Sequence, residues 1–313
     1  MLAALSKAAF SMLAGSATLK KIASRYGMRS SGSFARRFIA GETVEEAIEA
    51  ARVVERAGLL VTLDLLGESV ASTAGAGEAA QAYLSMIGKI EASGVGRNIS
   101  LKLTQLGLDI DRATTIDNLR RILDAAAKAN FFVRIDMESS AYTEATLATF
   151  ETVWNIGYRN AGVVIQSYLR RSAADVERMI ALGARVRLVK GTYREPKDAA
   201  FQKKSEVDAA FVELMRRLLQ HGTYPAIATH DPAMIAETRA FAAAQKLPPN
   251  AFEFQMLYGI RRDLQTQLAA QGFPMRVYVP FGKEWFPYFM RRLGERPANI
   301  GFVVRSVLGE RRS

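Results

Sequence analysis

At 313 residues, with 49% apolar and 23% charged residues, the chain is long enough for one large α/β unit and too apolar for intrinsic disorder. It has no cysteine and only two histidines, His221 and His230, which excludes disulfides, thiolate catalysis and sulfur-ligated metal centres and leaves too few nitrogen ligands for a His-rich metal site. The net charge of +11 suits anionic ligands, anionic lipid or simply a basic surface; no block of Lys and Arg interleaved with aromatics appears, so nucleic-acid binding is a minor reading.

Residues 1–19 place Leu2, Leu5, Ala9, Met12 and Leu13 at helical spacing, with Ser6, Lys7 and Ser11 elsewhere on the wheel. The stretch is too short and interrupted to span a bilayer and lacks the positive start and unbroken apolar run of a signal peptide. It is expected to pack on the domain as a helix; contact with a membrane surface is the sharper alternative. Residues 1–56 read as a helical prelude, and 57–313 as one unit.

Strand-like runs then follow at 59–66, 99–103, 131–137, 162–166, 185–190, 225–229, 252–255 and 275–279. Helix-period segments lie between them, among them 79–93, 115–129, 206–220 and 231–245, with Asp117, Asp175 and Asp231 placed as capping or first-turn residues. Strands alternating with helices and no hairpin signals imply a parallel sheet. Eight such units most economically close into a (β/α)8 barrel, an open doubly wound sheet being the alternative. Residues 70–77 read as a long loop after the first strand. The loose G-x-G-x-x-A match from Gly75 to Ala80 comes too late after that strand to be a dinucleotide turn. His221 is expected at a helix C-terminus.

In a closed barrel, functional groups gather at the C-terminal strand ends. Ionisable and polar residues occupy those places on successive strands: Asp64 and Glu68, Lys102, then Arg134, Asp136 and Glu138 at one parity, Gln166, Arg187 and Lys190, His230, Gln255, and Tyr278 at the parity of Arg276. Burying one charge can serve an ion pair; a ring of them points to a site. Arg187 and Lys190 have opposite parity, so Lys190 is assigned to the turn opened by Gly191. A helix over 283–293 carries Arg291 and Arg292, with Glu295 at pairing distance along the chain; two guanidinium forks form a receptor for a carboxylate.

Five segments resemble one family. They are Arg187-Leu-Val-Lys-Gly-Thr-Tyr193, Ala228-Thr-His-Asp231, Phe252-Glu-Phe-Gln-Met-Leu-Tyr-Gly259, Tyr278-Val-Pro-Phe-Gly282 and Tyr288-Phe-Met-Arg-Arg-Leu-Gly-Glu-Arg296. In this order, over most of the chain after the prelude, they are similar to proline dehydrogenases of the short, monofunctional bacterial type. One departure is Thr192, where the family often has alanine.

The resemblance implies a distorted (β/α)8, TIM-like barrel holding FAD non-covalently. It further implies oxidation of L-proline to Δ1-pyrroline-5-carboxylate by hydride transfer to flavin N5, electrons passing to a membrane quinone. Arg291 and Arg292 resemble the pair that binds the substrate carboxylate, buttressed by Glu295. Lys102 and Asp136 match the polar pair beside the substrate, and Leu257 and Tyr278 match residues packed on its ring, with Tyr193 close by. Gln166, Arg187, Val189, Lys190, Gly191 and His230 match flavin contacts. A cytoplasmic enzyme with peripheral contact on the inner face of the membrane is expected. The competing readings are another barrel flavin oxidoreductase acting on a different carboxylate or phosphate and, more remotely, a non-enzymatic nucleic-acid-binding protein.

Overall fold

Eight parallel strands close on themselves in a computed structural model of the chain, which describes residues 34–295. The strands are β1 Leu60–Leu65, β2 Asn98–Leu101, β3 Phe132–Ile135, β4 Ala161–Gln166, β5 Arg185–Val189, β6 Ala226–Ala228, β7 Glu253–Leu257 and β8 Met275–Phe281. They pair in chain order, and β1 also pairs with β8 from Leu60↔Arg276 to Leu65↔Phe281, which closes the barrel and removes the open-sheet alternative.

The helices are α1 Val44–Arg56, α2 Thr73–Ser93, α3 Arg112–Lys128, α4 Thr143–Asn155, α5 Ser172–Ala181, α6 Lys204–His221, α7 Pro232–Ala244, α8 Arg262–Ala270 and α9 Trp285–Glu295. Successive strand residues face opposite sides. One parity carries Leu63, Ile99, Val133, Val163, Leu188, Ile227 and Phe254, which share the main apolar core with Ile122, Phe150, Met179, Phe211 and Met215 of the helices. The other parity carries polar groups that bond to each other inside the barrel.

The distortion lies at the closure. α1 packs on β1 and β8 and buries Ala47, Ile48, Ala51 and Val54 in the barrel's own core, so the last outer-wall position is filled by a helix that precedes the first strand. α9, after β8, instead buries Trp285, Phe286, Phe289 and Met290 against Ala35, Phe38, Ile39, Leu66 and Ile260. This second apolar cluster holds α9 over the C-terminal ends of the strands.

Two local expectations change. α2 begins at Thr73, so most of the expected loop over 70–77, including the Gly75 to Ala80 match, is helical. Ser72 is the N-cap and accepts the Gly75 amide at 3.1 Å, which offsets the glycines' poor helix propensity. α3 starts at Arg112 with Asp111 as its cap, accepting from Thr114 N at 2.7 Å; Asp117 is already past the first turn. Asp175 and Asp231 do lie in a first turn and at an N-cap, and His221 ends α6. The helix expected over residues 1–19 lies outside the described residues.

One interior cluster lies toward the N-terminal strand ends. Glu253 takes Nε and Nη2 of Arg276 at 2.8 and 2.9 Å, while Arg276 Nη1 reaches Val61 O at 2.7 Å. Arg134 bonds to the carbonyls of Arg185 and Val163 at 2.6 and 3.1 Å and stacks over Phe132 at 4.9 Å. Burial alone would raise the Glu253 carboxyl, yet Arg276 outweighs it and holds the group below its usual range. A depressed folded value means this stabilisation is complete at neutral pH and is lost as pH falls below about 4, through the folded value. Glu253→Ala leaves Arg276 buried without its carboxylate and should cost about 3–5 kcal/mol. Denaturant melts at pH 7 check this: a loss below about 1 kcal/mol would assign the pair no structural weight.

Candidate active site

The mouth of the barrel opens into a cavity of about 590 Å³. Its polar wall is organised by Arg187, which β5 directs inward and which is only 5% exposed. Nε donates to Gln255 Oε1 at 2.5 Å, Nη1 to Asp136 Oδ1 at 2.7 Å and Nη2 to Ser100 Oγ at 3.1 Å, so one guanidinium ties together residues from β7, the end of β3, and β2. Tyr278 lies with its ring 5.3 Å from that guanidinium and donates its hydroxyl to Asp136 Oδ2 at 2.8 Å. Burial, reinforced by Asp136 and Asp64, holds the Tyr278 phenol well above its usual range, so it stays a donor.

Lys102 stands just beyond β2, and its backbone turns at once into the short helix Leu103–Leu106. Gln105 fixes that turn by accepting Lys102 N at 3.2 Å and the Tyr83 hydroxyl at 2.8 Å while donating to Leu65 O at 2.9 Å. The Lys102 ammonium is 3.7 Å from Asp64 Oδ1. Glu138, of the same parity as Asp136, does not enter the cavity wall; it accepts Thr104 Oγ1 at 2.7 Å and braces the same turn.

On the β5–β6 side, Lys190 lies past the strand end, as its parity required, and is gripped by Asp208 and Asp231. Gly191 has φ +109, and a Cβ there would meet the Tyr168 ring at 2.4 Å, so glycine is required twice over. Tyr193 follows at the cavity wall, its phenol pushed up to about 12 by burial and then Glu68, against the opposing pull of Arg291 and Lys102. His230 accepts Leu257 N at Nε2, 2.9 Å away, a bond that joins the β6 loop to the end of β7 and assigns the neutral ring proton to Nδ1.

α9 supplies Arg291 and Arg292 from above. Arg292 is buried with its guanidinium 5.1 Å from the Tyr288 ring, and Arg291 donates to Glu68 at 2.5 Å. Glu68 keeps the Arg291 guanidinium charged more firmly than usual, overriding burial.

Thus Lys102, Asp136, Tyr193, Leu257, Tyr278, Arg291 and Arg292 line the same cavity as Gln166, Arg187, Val189, Lys190, Gly191 and His230. The Glu295 side chain lies outside the described residues. Glu68, one of the ionisable residues expected at the first strand's end, holds Arg291 beside the cavity; Tyr288 also lines it and was not singled out in the sequence, although it is three and four residues before the two arginines and so shares their helix face. A larger open groove of about 1190 Å³ lies outside the barrel between α5, α6 and α7; it carries no comparable convergence of buried polar groups.

The cavity also fits a flavin by its own chemistry. Gln166 is 3% exposed, and its Oε1 accepts no hydrogen bond among the described residues, an acceptor that a bound N–H or hydroxyl would satisfy. Among the described residues no cluster of His, Cys, Asp and Glu is arranged to hold a metal ion.

A sequence model of the proline dehydrogenase family matches residues 47–305. The chain is 42% identical over 299 residues to proline dehydrogenase 1 of Bacillus subtilis, covering 96% of this chain and 98% of that one. It is 41% identical over 280 residues to the proline dehydrogenase of Deinococcus radiodurans, covering 88% and 90%. Among solved structures it is similar to proline utilization A of Bdellovibrio bacteriovorus inactivated by N-propargylglycine, with TM-score 0.78 and 27% identity over 83% of this chain and 32% of that longer one. The barrel, its capping helix and these matches give one conclusion: the chain belongs to the proline dehydrogenase family.

Proposed function

We propose that this protein oxidises L-proline to Δ1-pyrroline-5-carboxylate with non-covalently bound FAD and passes the electrons to a membrane quinone, as the first step of proline catabolism. The observation that carries the reading is the cavity itself: Arg291 and Arg292 of α9 line the same space as Lys102, Asp136 and Tyr278, and so do Gln166, Arg187, Lys190 and His230. Residues 57–313 form the catalytic unit in this reading, with 1–56 packed upon it.

Arg291 and Arg292 bind the substrate carboxylate, since paired forks match its two oxygens. The ring is held between Leu257 and Tyr278, with Tyr193 beside it. Arg187, fixed by its own three acceptors, would present a cation that does not reorganise, and Lys190 would supply a second one to the negative charge of a bound flavin. Gln166, Val189, Gly191 and His230 complete the flavin wall. The flavin, when bound, supplies the two-electron acceptor at N5 for the hydride leaving the carbon beside nitrogen. What remains for the protein is orientation, exclusion of water and electrostatics, which needs neither thiol nor metal.

The charge distribution supports peripheral membrane contact. Residues 1–33 contain Lys7, Lys20, Lys21, Arg25 and Arg29 and no acidic residue, and residues 296–313 contain four arginines and one acid. Most of the +11 therefore lies in the flanks, suited to an anionic lipid surface near the quinone pool. No described helix is long and apolar enough to cross a membrane.

The purified protein should be yellow and release FAD on denaturation; anaerobic L-proline should bleach it and a quinone restore the colour. Colourless protein that takes up no FAD on reconstitution would overturn the reading. Arg292→Ala should keep its flavin and lose on the order of 3–5 kcal/mol in kcat/KM for L-proline, with Arg291→Ala similar and Glu295→Ala smaller. A change within twofold for Arg292→Ala would remove it from the carboxylate site.

Tyr278 is expected to exclude a 4-hydroxyl on the ring, because its own hydroxyl is committed to Asp136 and its ring cannot swing aside without breaking that bond. Tyr278→Ser should lower proline oxidation while raising the hydroxyproline-to-proline ratio of kcat/KM by about 1–3 kcal/mol equivalent. Assays of both substrates on wild type and variant decide it; an unchanged ratio in folded, flavin-loaded variant assigns Tyr278 a filling role only.

A further inference from the structure

Asp64 is completely buried at the inner parity of β1, and neither carboxylate oxygen has a donor in good hydrogen-bonding geometry among the described residues; the Tyr278 hydroxyl beside it is close enough to act on its titration but is turned to Asp136. The phenolic proton of Tyr278 goes to Asp136, and Arg187 spends its donors on Asp136, Gln255 and Ser100. The cation nearest to Asp64 is the Lys102 ammonium, 3.7 Å from Oδ1, with the Asp64 side chain fully buried and that of Lys102 9% exposed at the cavity wall. A buried carboxylate without hydrogen bonds is costly and survives where a charge compensates it or a function retains it.

Resting on the functional reading above, we propose that Asp64 is a positioning residue that acts through Lys102: it is the buried counter-charge that holds an ammonium at the cavity wall beside the substrate. Asp64 does not line the cavity, whereas Lys102 does, so its influence on the substrate passes through that one contact. Gln105 fixes the Lys102 backbone from the other side, leaving the ammonium little room to move.

The electrostatic surroundings agree. Burial by itself would strip the proton from Lys102; Asp64 first, then Asp136 and Glu68, reverse this and keep it charged, with Tyr193 adding to their pull. Glu138 also faces the ammonium. Around Asp64 stand Lys102, Asp136, Tyr278, Arg187 and, from α2, Tyr83; burial dominates and raises its carboxyl. Lys102 is thus the group that most opposes the burial penalty on Asp64, and Asp64 the group that most opposes it on Lys102. Deprived of that partner, a buried ammonium loses its proton as pH rises, at lower pH than in the wild type.

The test is a double-mutant cycle in the flavin-loaded full-length protein. Asp64→Asn should lower kcat/KM for L-proline about tenfold or more, with the loss deepening as pH rises, because Lys102 then discharges at lower pH than in wild type. On a Lys102→Met background the same Asp64→Asn change should leave kcat/KM within about twofold and raise the melting temperature, because it removes a buried carboxylate that has lost its cation. If Asp64→Asn alone does not fold, the double variant melting above Lys102→Met still supports the coupling. Multiplicative losses in the double variant, a lower melting temperature than Lys102→Met, or a pH profile of Asp64→Asn parallel to wild type would overturn it. A wild type that does not turn over L-proline fails the functional reading instead, while the melting arm of the cycle still decides the Asp64–Lys102 coupling.

Discussion

A guanidinium in the middle of a barrel determines what the rest of this interior can be. Arg187 is too expensive to bury without acceptors, so Ser100, Asp136 and Gln255 must face inward from three other elements to receive it. Gln255 in turn donates to Glu253, which takes Arg276, and Asp136 in turn takes Tyr278. The inner parity of the barrel is therefore a connected polar structure where apolar layers would ordinarily pack, and hydrophobic cohesion moves outward to the seam between strands and helices. Replacing one member leaves others buried and unpaired, so the cavity wall and the fold are held by the same bonds.

That division made much of the molecule legible from sequence. Alternation along a strand shows parity directly: Arg134 and Asp136 against Val133 and Ile135, or Arg276 and Tyr278 against Val277 and Val279, separate an inner polar face from an outer apolar one. What parity could not show is which inner groups meet. Asp136 was grouped with Arg134, its neighbour in sequence, but it pairs with Arg187 from β5, and Arg134 turns instead to backbone carbonyls at the other end. Such pairing depends on strand stagger and side-chain reach, which one sequence does not carry. The shifted start of α2 has a different cause: glycines at 75 and 77 suggest a loop by propensity, and a single serine cap with tertiary packing of Ala76 and Ala80 overrides it.

α9 shows how a departure from symmetry serves the site. In an ideal barrel the helix after β8 would lie on the outer wall and its arginines would face solvent. Here α1 already fills that slot, and the aromatic face of α9 finds its partners over the strand ends in Phe38, Ile39 and Leu66. Trp285 and Phe289 pack edge-on at 5.8 Å, and Phe38 lies 6.3 Å from Phe289, which anchors the helix without using its polar face. Tyr288, Arg291 and Arg292 then look down into the cavity from an element independent of the strands. Floor and roof can therefore vary separately in sequence, the floor through inner-parity residues and the roof through one helical face.

On the proposed reading, the absence of cysteine and the presence of only two histidines carry no cost. A protein that forms its own covalent intermediate needs a tuned nucleophile, whereas one that lends its redox chemistry to a bound group needs fixed charges and shape. The fixed charges here are cations whose counter-ions stand behind them: Asp64 behind Lys102, Asp136 against Arg187, Asp208 and Asp231 around Lys190, and Glu68 on Arg291. Each pair is worth little as stability where it is partly exposed and much more where burial removes the screening, so the two innermost, Asp64–Lys102 and Asp136–Arg187, are the ones whose geometry the cavity cannot lose. Surface pairs such as Arg217–Glu177 follow the same Coulomb law in water and can be exchanged freely.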